Sequence, residues 1–130
     1  MFSIEEFARL AFLSGRWKGE APDGTPFYEE YDQPEPHVMR SRRFDDATFS
    51  RYGDGSTITF QDGEVTAQWG EFTWRATGIA ADAAHFEPLE APSHFSWHRI
   101  DDDTLEARQR WSSDGQEHSY TMAMTRIAPA

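Results

Sequence analysis

From Arg16 onward the chain keeps returning to one pattern: short runs of alternating apolar and polar residues, each closed off by Gly, Pro, Asp or Ser. The cleanest run is 104–111. Leu105, Ala107, Gln109 and Trp111 fall on one face, and Thr104, Glu106, Arg108 and Arg110 on the other. A period of two is the repeat of a strand with one buried and one solvated side, and no helix satisfies it. Similar runs at 16–20, 25–32, 38–44, 48–52, 57–61, 64–69, 72–79, 84–87, 94–100 and 118–127 predict roughly ten short strands in all. Asp62-Gly63 is a two-residue hairpin signal. Pro22-Asp23-Gly24, Asp45-Asp46, Asp101-Asp102-Asp103 and Ser112-Ser113-Asp114-Gly115 supply further turns. Pro34 and Pro36 break the chain before the 38–44 run, and a proline-broken loop is expected at 88–92. Strands this short and closely spaced make an all-β, antiparallel sandwich or up-and-down barrel.

Only the start of the chain departs from this period. Ser3 and Glu6 form a capping box, and Phe2 and Phe7 stand at hydrophobic-staple spacing. Ile4, Phe7, Leu10 and Ala11 then make one apolar stripe, and Gly15 is a stop signal. One short N-terminal helix of about three turns is predicted, with an apolar face that must cover something.

With 130 residues, the chain reads as a single domain over 1–130. Ten Phe, five Trp and four Tyr are a heavy aromatic load that strands accommodate better than helices. A net charge of −11 and a pI near 4.7 exclude a general nucleic-acid binder, which needs a basic face, and disfavour an anionic membrane surface. Without cysteine there is neither a disulfide framework nor thiolate chemistry. MFSIEEF lacks the marks of a secretory signal, and no run approaches the roughly 18 apolar residues of a membrane helix, so a cytoplasmic protein is expected. The absence of Asn and the presence of a single lysine, Lys18, point to a GC-rich bacterial source. Oligomeric state stays open, a homodimer included.

A helix followed by Gly15-Arg16-Trp17 and then by meandering strands resembles the calycin group of barrels, the lipocalins, fatty-acid-binding proteins and their relatives. The resemblance implies a calycin-like barrel in which Gly15 and Trp17 are the structural signature and the Trp17 indole plugs the closed end. The longer stretch Leu13-Ser14-Gly15-Arg16-Trp17-Lys18-Gly19-Glu20, with Phe27-Tyr28-Glu29-Glu30 behind it, is similar to the opening of nitrobindin-type haem barrels. Residues 86–108 resemble uncharacterised bacterial calycin-like domains. The nitrobindin resemblance implies haem as an alternative cofactor, with His118 as its ligand. An ordinary strand histidine is the other reading of that residue. The leading expectation is no cofactor.

Candidate chemistry is sparse. His94 and His98 are four apart, about 13 Å along a strand, so they are not expected to share a metal. Arg40 and Arg42 share parity with Val38 and Phe44, which makes them candidate inward contacts for an anion. The alternative is pairing with surface carboxylates. Phe27, Glu29 and Tyr31 lie on one face of their run, while Glu29 and Glu30 face opposite sides and cannot act as a carboxylate pair. Gly53-Asp54-Gly55-Ser56 reads as a turn rather than a phosphate loop, and Ser96 with His98 lacks a nucleophilic context. No constellation argues for an enzyme.

Apolar faces of neighbouring antiparallel strands must lie on the same side of the sheet. His118, Tyr120, Met122 and Met124 are therefore expected to share a side with Leu105, Ala107, Gln109 and Trp111. With Phe72, Trp74, Phe95 and Trp97 they make the candidate lining of one cavity. The functional expectation is a small-molecule-binding barrel holding a largely apolar ligand, with an anionic end if the arginines turn inward. A nitrobindin-like haem barrel and a packed interaction or oligomerisation module are the alternatives.

Overall fold

The computed structural model describes residues 1–127. Its helix begins as the sequence dictates: Ser3 Oγ accepts the Glu6 N–H at 3.1 Å, and Glu6 Oε1 accepts the Ser3 N–H at 3.0 Å. The α-helix α1 covers only Ile4–Ala8, however, and then tightens into a 3-10 helix over Arg9–Leu13. The expected three-turn α-helix is therefore split. Terminal carbonyls of a helix need partners from outside it, and here two side chains supply them. The Trp17 indole N–H donates to Leu13 O at 2.8 Å, and Arg126 donates to Ser14 O at 2.6 Å and Phe12 O at 3.3 Å. Gly15 follows at φ +124°, and a Cβ there would lie 2.5 Å from Arg126 Nη1, so this position requires glycine.

Eleven strands come next: β1 Gly15–Glu20, β2 Pro26–Glu35, β3 Val38–Phe44, β4 Tyr52–Asp54, β5 Thr57–Gln61, β6 Glu64–Trp69, β7 Phe72–Ile79, β8 Ala83–Glu90, β9 His94–Asp101, β10 Thr104–Ser113 and β11 Gln116–Ile127. All the pairings are antiparallel. Strands pair along the order β2-β1-β11-β10-β9-β8-β7-β6-β5-β3, and β2 pairs with β3 to close ten of them into a barrel. The short β4 hangs on the outer edge of β3.

Two local expectations are corrected. Residues 48–52 are not a strand: Thr48 N–H donates to Asp46 Oδ1 at 2.9 Å and Phe49 takes φ +55°, a turn that delays pairing until Tyr52. The prolines at 34 and 88 do not end their strands. β2 reaches Glu35 and β8 reaches Glu90, although the β2–β3 and β7–β8 ladders shift register near these positions.

Alternation places Trp17, Tyr31, Met39, Ile58, Val65, Ala84, Leu105 and Met124 inside, where each is buried. The longest ladder carries the expected pairing: Leu105 opposite Met124, Ala107 opposite Met122, Gln109 opposite Tyr120 and Trp111 opposite His118. Phe7, Leu10 and Leu13 from the helical segment close one end of the barrel over Trp17, which is 1% exposed. A second, smaller aromatic cluster lies outside the wall. Phe49 packs on Phe44 and Tyr28, with Arg16 4.4 Å above its ring.

Candidate functional site

Two halves of the interior differ. Around Trp17 the barrel is filled by side chains. Toward the far end, where β7 and β9 begin and β10 runs out, the walls part around a cavity of about 90 Å³. Its apolar wall is Trp69, Trp74, Phe95, Trp97, Met122 and Met124. Phe95 is the hub of the aromatic packing, edge-on to Trp74 and Trp97 at 5.0 Å and stacked on Phe86 at 4.6 Å. Such offset and edge-to-face contacts fix ring positions as well as burying area.

Polar groups reach this cavity from two sides. On β2 and β3, Glu29 is 3% exposed, and its Oε2 accepts from Arg43 Nε at 3.1 Å and Nη2 at 2.8 Å. Its other oxygen accepts from the Tyr31 hydroxyl at 3.1 Å. Burial, reinforced by the Glu29 charge, holds the Tyr31 phenol protonated well above the usual range. Arg43 also lies 4.4 Å over the Phe27 ring and 5.2 Å over Trp69, so aromatic faces hold its guanidinium in place. From the opposite wall Gln109 reaches in, one end of its amide held by Ser93 Oγ at 2.9 Å. The Ser93 carbonyl in turn accepts the Trp74 indole N–H at 2.7 Å.

Six of the residues expected to line a cavity meet here: Trp74, Phe95, Trp97, Gln109, Met122 and Met124. Four do not. Phe72 is an exposed rim residue, edge-on to Trp74 at 6.2 Å. Trp111, His118 and Tyr120 have the right parity but lie on the β10–β11 hairpin beyond the cavity, with Trp111 stacked on His118 at 5.6 Å. The arginine expectation is corrected more sharply. Met39 and Ser41 are the buried face of β3, so Arg40 and Arg42 point outward. Arg40 binds both oxygens of Asp32, and Arg42 lies over Tyr52. On β3 the arginine that turns inward is Arg43, paired with Glu29; Arg108 also borders the cavity and pairs with Glu106.

Haem does not fit these residues. His118 is exposed on the hairpin, and about 90 Å³ is well short of the roughly 300–1,000 Å³ of pockets that hold drug-sized ligands. Among the described residues, no group of three or more His, Asp or Glu is placed to hold a metal ion. His94 and His98 lie on the outer face of β9, where His98 Nε2 is 2.8 Å from Ser96 Oγ and its ring meets His85 edge-on at 5.2 Å. Desolvation, then the Arg108 charge, lowers the His98 pKa. The depression there is larger, about 440 Å³, and lies on the water-facing outer wall around these histidines. The aromatic cavity, with its oriented polar groups, is the better-built site.

Sequence reasoning missed Glu29, Tyr31, Arg43 and Trp69 as cavity residues. The signal for the first two was legible: a carboxylate flanked by Phe27 and Tyr31 on an apolar strand face must either be exposed or find a buried partner. Arg43 was hidden because both faces of β3 carry aliphatic or aromatic residues.

No family model and no curated protein matches this chain. Among solved structures the chain is similar to a redesigned β-barrel, at 10% sequence identity and a TM-score of 0.43, over 92% of this chain and 96% of the other.

Proposed function

We propose that this protein is a calycin-like barrel that binds one compact, largely apolar, ring-bearing molecule in its open half. The observation that carries the reading is the contrast inside a single barrel. Side chains fill the helix end, while Trp74, Phe95, Trp97 and Met122 wall a space that Gln109, Tyr31 and the Glu29–Arg43 pair also touch. Many apolar surfaces with a few oriented polar groups are the usual composition of a small-molecule site. Trp17 beneath the helix agrees with what the Gly-x-Trp resemblance implies. Binding rather than turnover is the reading, because Arg43 and Tyr31 already engage both oxygens of the cavity carboxylate.

One observation favours a second reading. About 90 Å³ holds several waters or a ligand of fewer than about ten heavy atoms, so a barrel serving only as a packed interaction module would look similar. Ala107 separates the two, since it lines the cavity and is half-buried. For a binding barrel, Ala107→Leu fills the space, keeps or raises the melting temperature and abolishes saturable quenching of tryptophan fluorescence by small aromatic compounds. If the native protein shows no saturable binding across such a panel, the packed-module reading stands.

A further inference from the structure

Resting on the interior-binding reading above, we infer that the cavity selects electrically neutral ligands, and that Glu29 sets this selectivity by neutralising Arg43. An arginine at the edge of an aromatic cavity would by itself be an anion receptor, because its planar fork matches a carboxylate. Here the Nε–Nη2 edge of that fork is taken and its charge is matched. Nε and Nη2 of Arg43 both donate to Glu29 Oε2, and Tyr31 holds the other carboxylate oxygen. An anionic ligand would have to approach Arg43 beside a carboxylate that is 3% exposed, or displace that carboxylate from all three of its hydrogen bonds among aromatic walls. Nor can Arg43 readily turn to meet the ligand, since it is packed on Phe27 and Trp69. A cation is disfavoured for the mirror reason: Glu29 already accepts three hydrogen bonds and has a guanidinium at 2.8 Å. A neutral ring with one polar substituent meets neither obstacle. The end of the Gln109 amide not held by Ser93 is available to that substituent.

Three planar isosteres test this directly: benzamide, benzoate and benzamidinium, titrated into the native protein while following tryptophan fluorescence. Benzamide is expected to bind at least about tenfold more tightly than either ion, a difference of about 1.4 kcal/mol. Glu29→Gln frees Arg43 and is expected to raise benzoate affinity about tenfold or more, with benzamide changed less than about threefold. Arg43→Gln is expected to do the same for benzamidinium, and circular dichroism checks that each variant is folded. Benzoate binding the native protein as tightly as benzamide overturns the inference, as does a folded Glu29→Gln barrel with unchanged benzoate affinity. Should a variant fail to fold, the ranking on the native protein decides. If none of the three probes binds the native protein, the interior-binding reading itself falls, and the selectivity with it.

Discussion

At the helix end, Trp17 is enclosed on every side. Phe7, Leu10 and Leu13 cover it, Arg126 lies 4.3 Å above its ring, and its indole N–H and the neighbouring carbonyls are all paired. At the open end the same strands also carry aromatics, but among the described residues no helix is laid across them. There the interior includes a charged pair, a phenol and an amide, and the rim leaves Phe72 exposed. This barrel concentrates its apolar closure at the helix end. The other end is then free to carry polar groups that a fully packed core would exclude.

The largest effect should come from the sealed end. Trp17→Ala removes a fully buried ring and leaves Arg126 and the helix without their platform, so a loss of about 3–5 kcal/mol is expected in a denaturant melt. A loss under about 1 kcal/mol would mean that the helix end is not the stabilising half. Next comes the polar pair. Arg43→Ala leaves Glu29 buried without its guanidinium, and hydrogen bonds to charged groups are worth about 1.5–3 kcal/mol. The lower part of that range is expected, because the Arg43 side chain is 36% exposed and water partly screens it. Equal losses for Trp17→Ala and Arg43→Ala would erase the distinction between the two ends.

Tyr31 lies where the packed half meets the cavity, and Tyr31→Phe should cost about 1.5 kcal/mol, the low end for a hydrogen bond to a charged group. It also gives a pH signature. Its phenol titrates well above the value near 10.0 of a free tyrosine, so above that pH the unfolded chain gives up this proton before the folded barrel does. Folding stability should therefore fall as pH rises from about 10 toward the folded value, and Tyr31→Phe should flatten that decline. An unchanged slope in alkaline melts would show that the phenol is not isolated from water.

What the sequence disclosed follows the same division. The capping box and the β10–β11 register were legible because each rests on a local rule with one solution: Ser3 with Glu6, and an alternation long enough that a one-residue slip would expose Leu105 and Met124. The burial of Trp17 was expected only from the Gly-x-Trp resemblance. The open half was less legible. On β3, Val38 and Phe44 share one face and Met39 has the other, so parity alone could not say which arginine turns inward. The choice was made by Phe49. Its turn, misread as strand, brings its ring against Phe44 and buries that residue on the outside of the wall, which leaves Arg43 to the interior. Extent was hidden as well as parity: nothing in the alternation of β10 says that β9 stops before Trp111.

That last point sets the smallest expected effect. β9 pairs with β10 only as far as His94 opposite Arg110, so Trp111 and His118 face each other on a two-stranded ribbon with no third strand paired beside them among the described residues. The ring of Trp111 stacks on His118 and meets Tyr120 edge-on at 5.7 Å, but it has no share in the cavity. Cross-strand aromatic pairs of this kind contribute about 0.2–1 kcal/mol, and Trp111→Ala should cost no more than that in the same denaturant melt. It should also leave the affinity for a cavity ligand within about threefold of native, less than 1 kcal/mol. A loss comparable to that of Trp17→Ala would mean that the hairpin folds back over the open end in solution. The barrel would then have two sealed ends, and the asymmetry on which the binding reading depends would be gone.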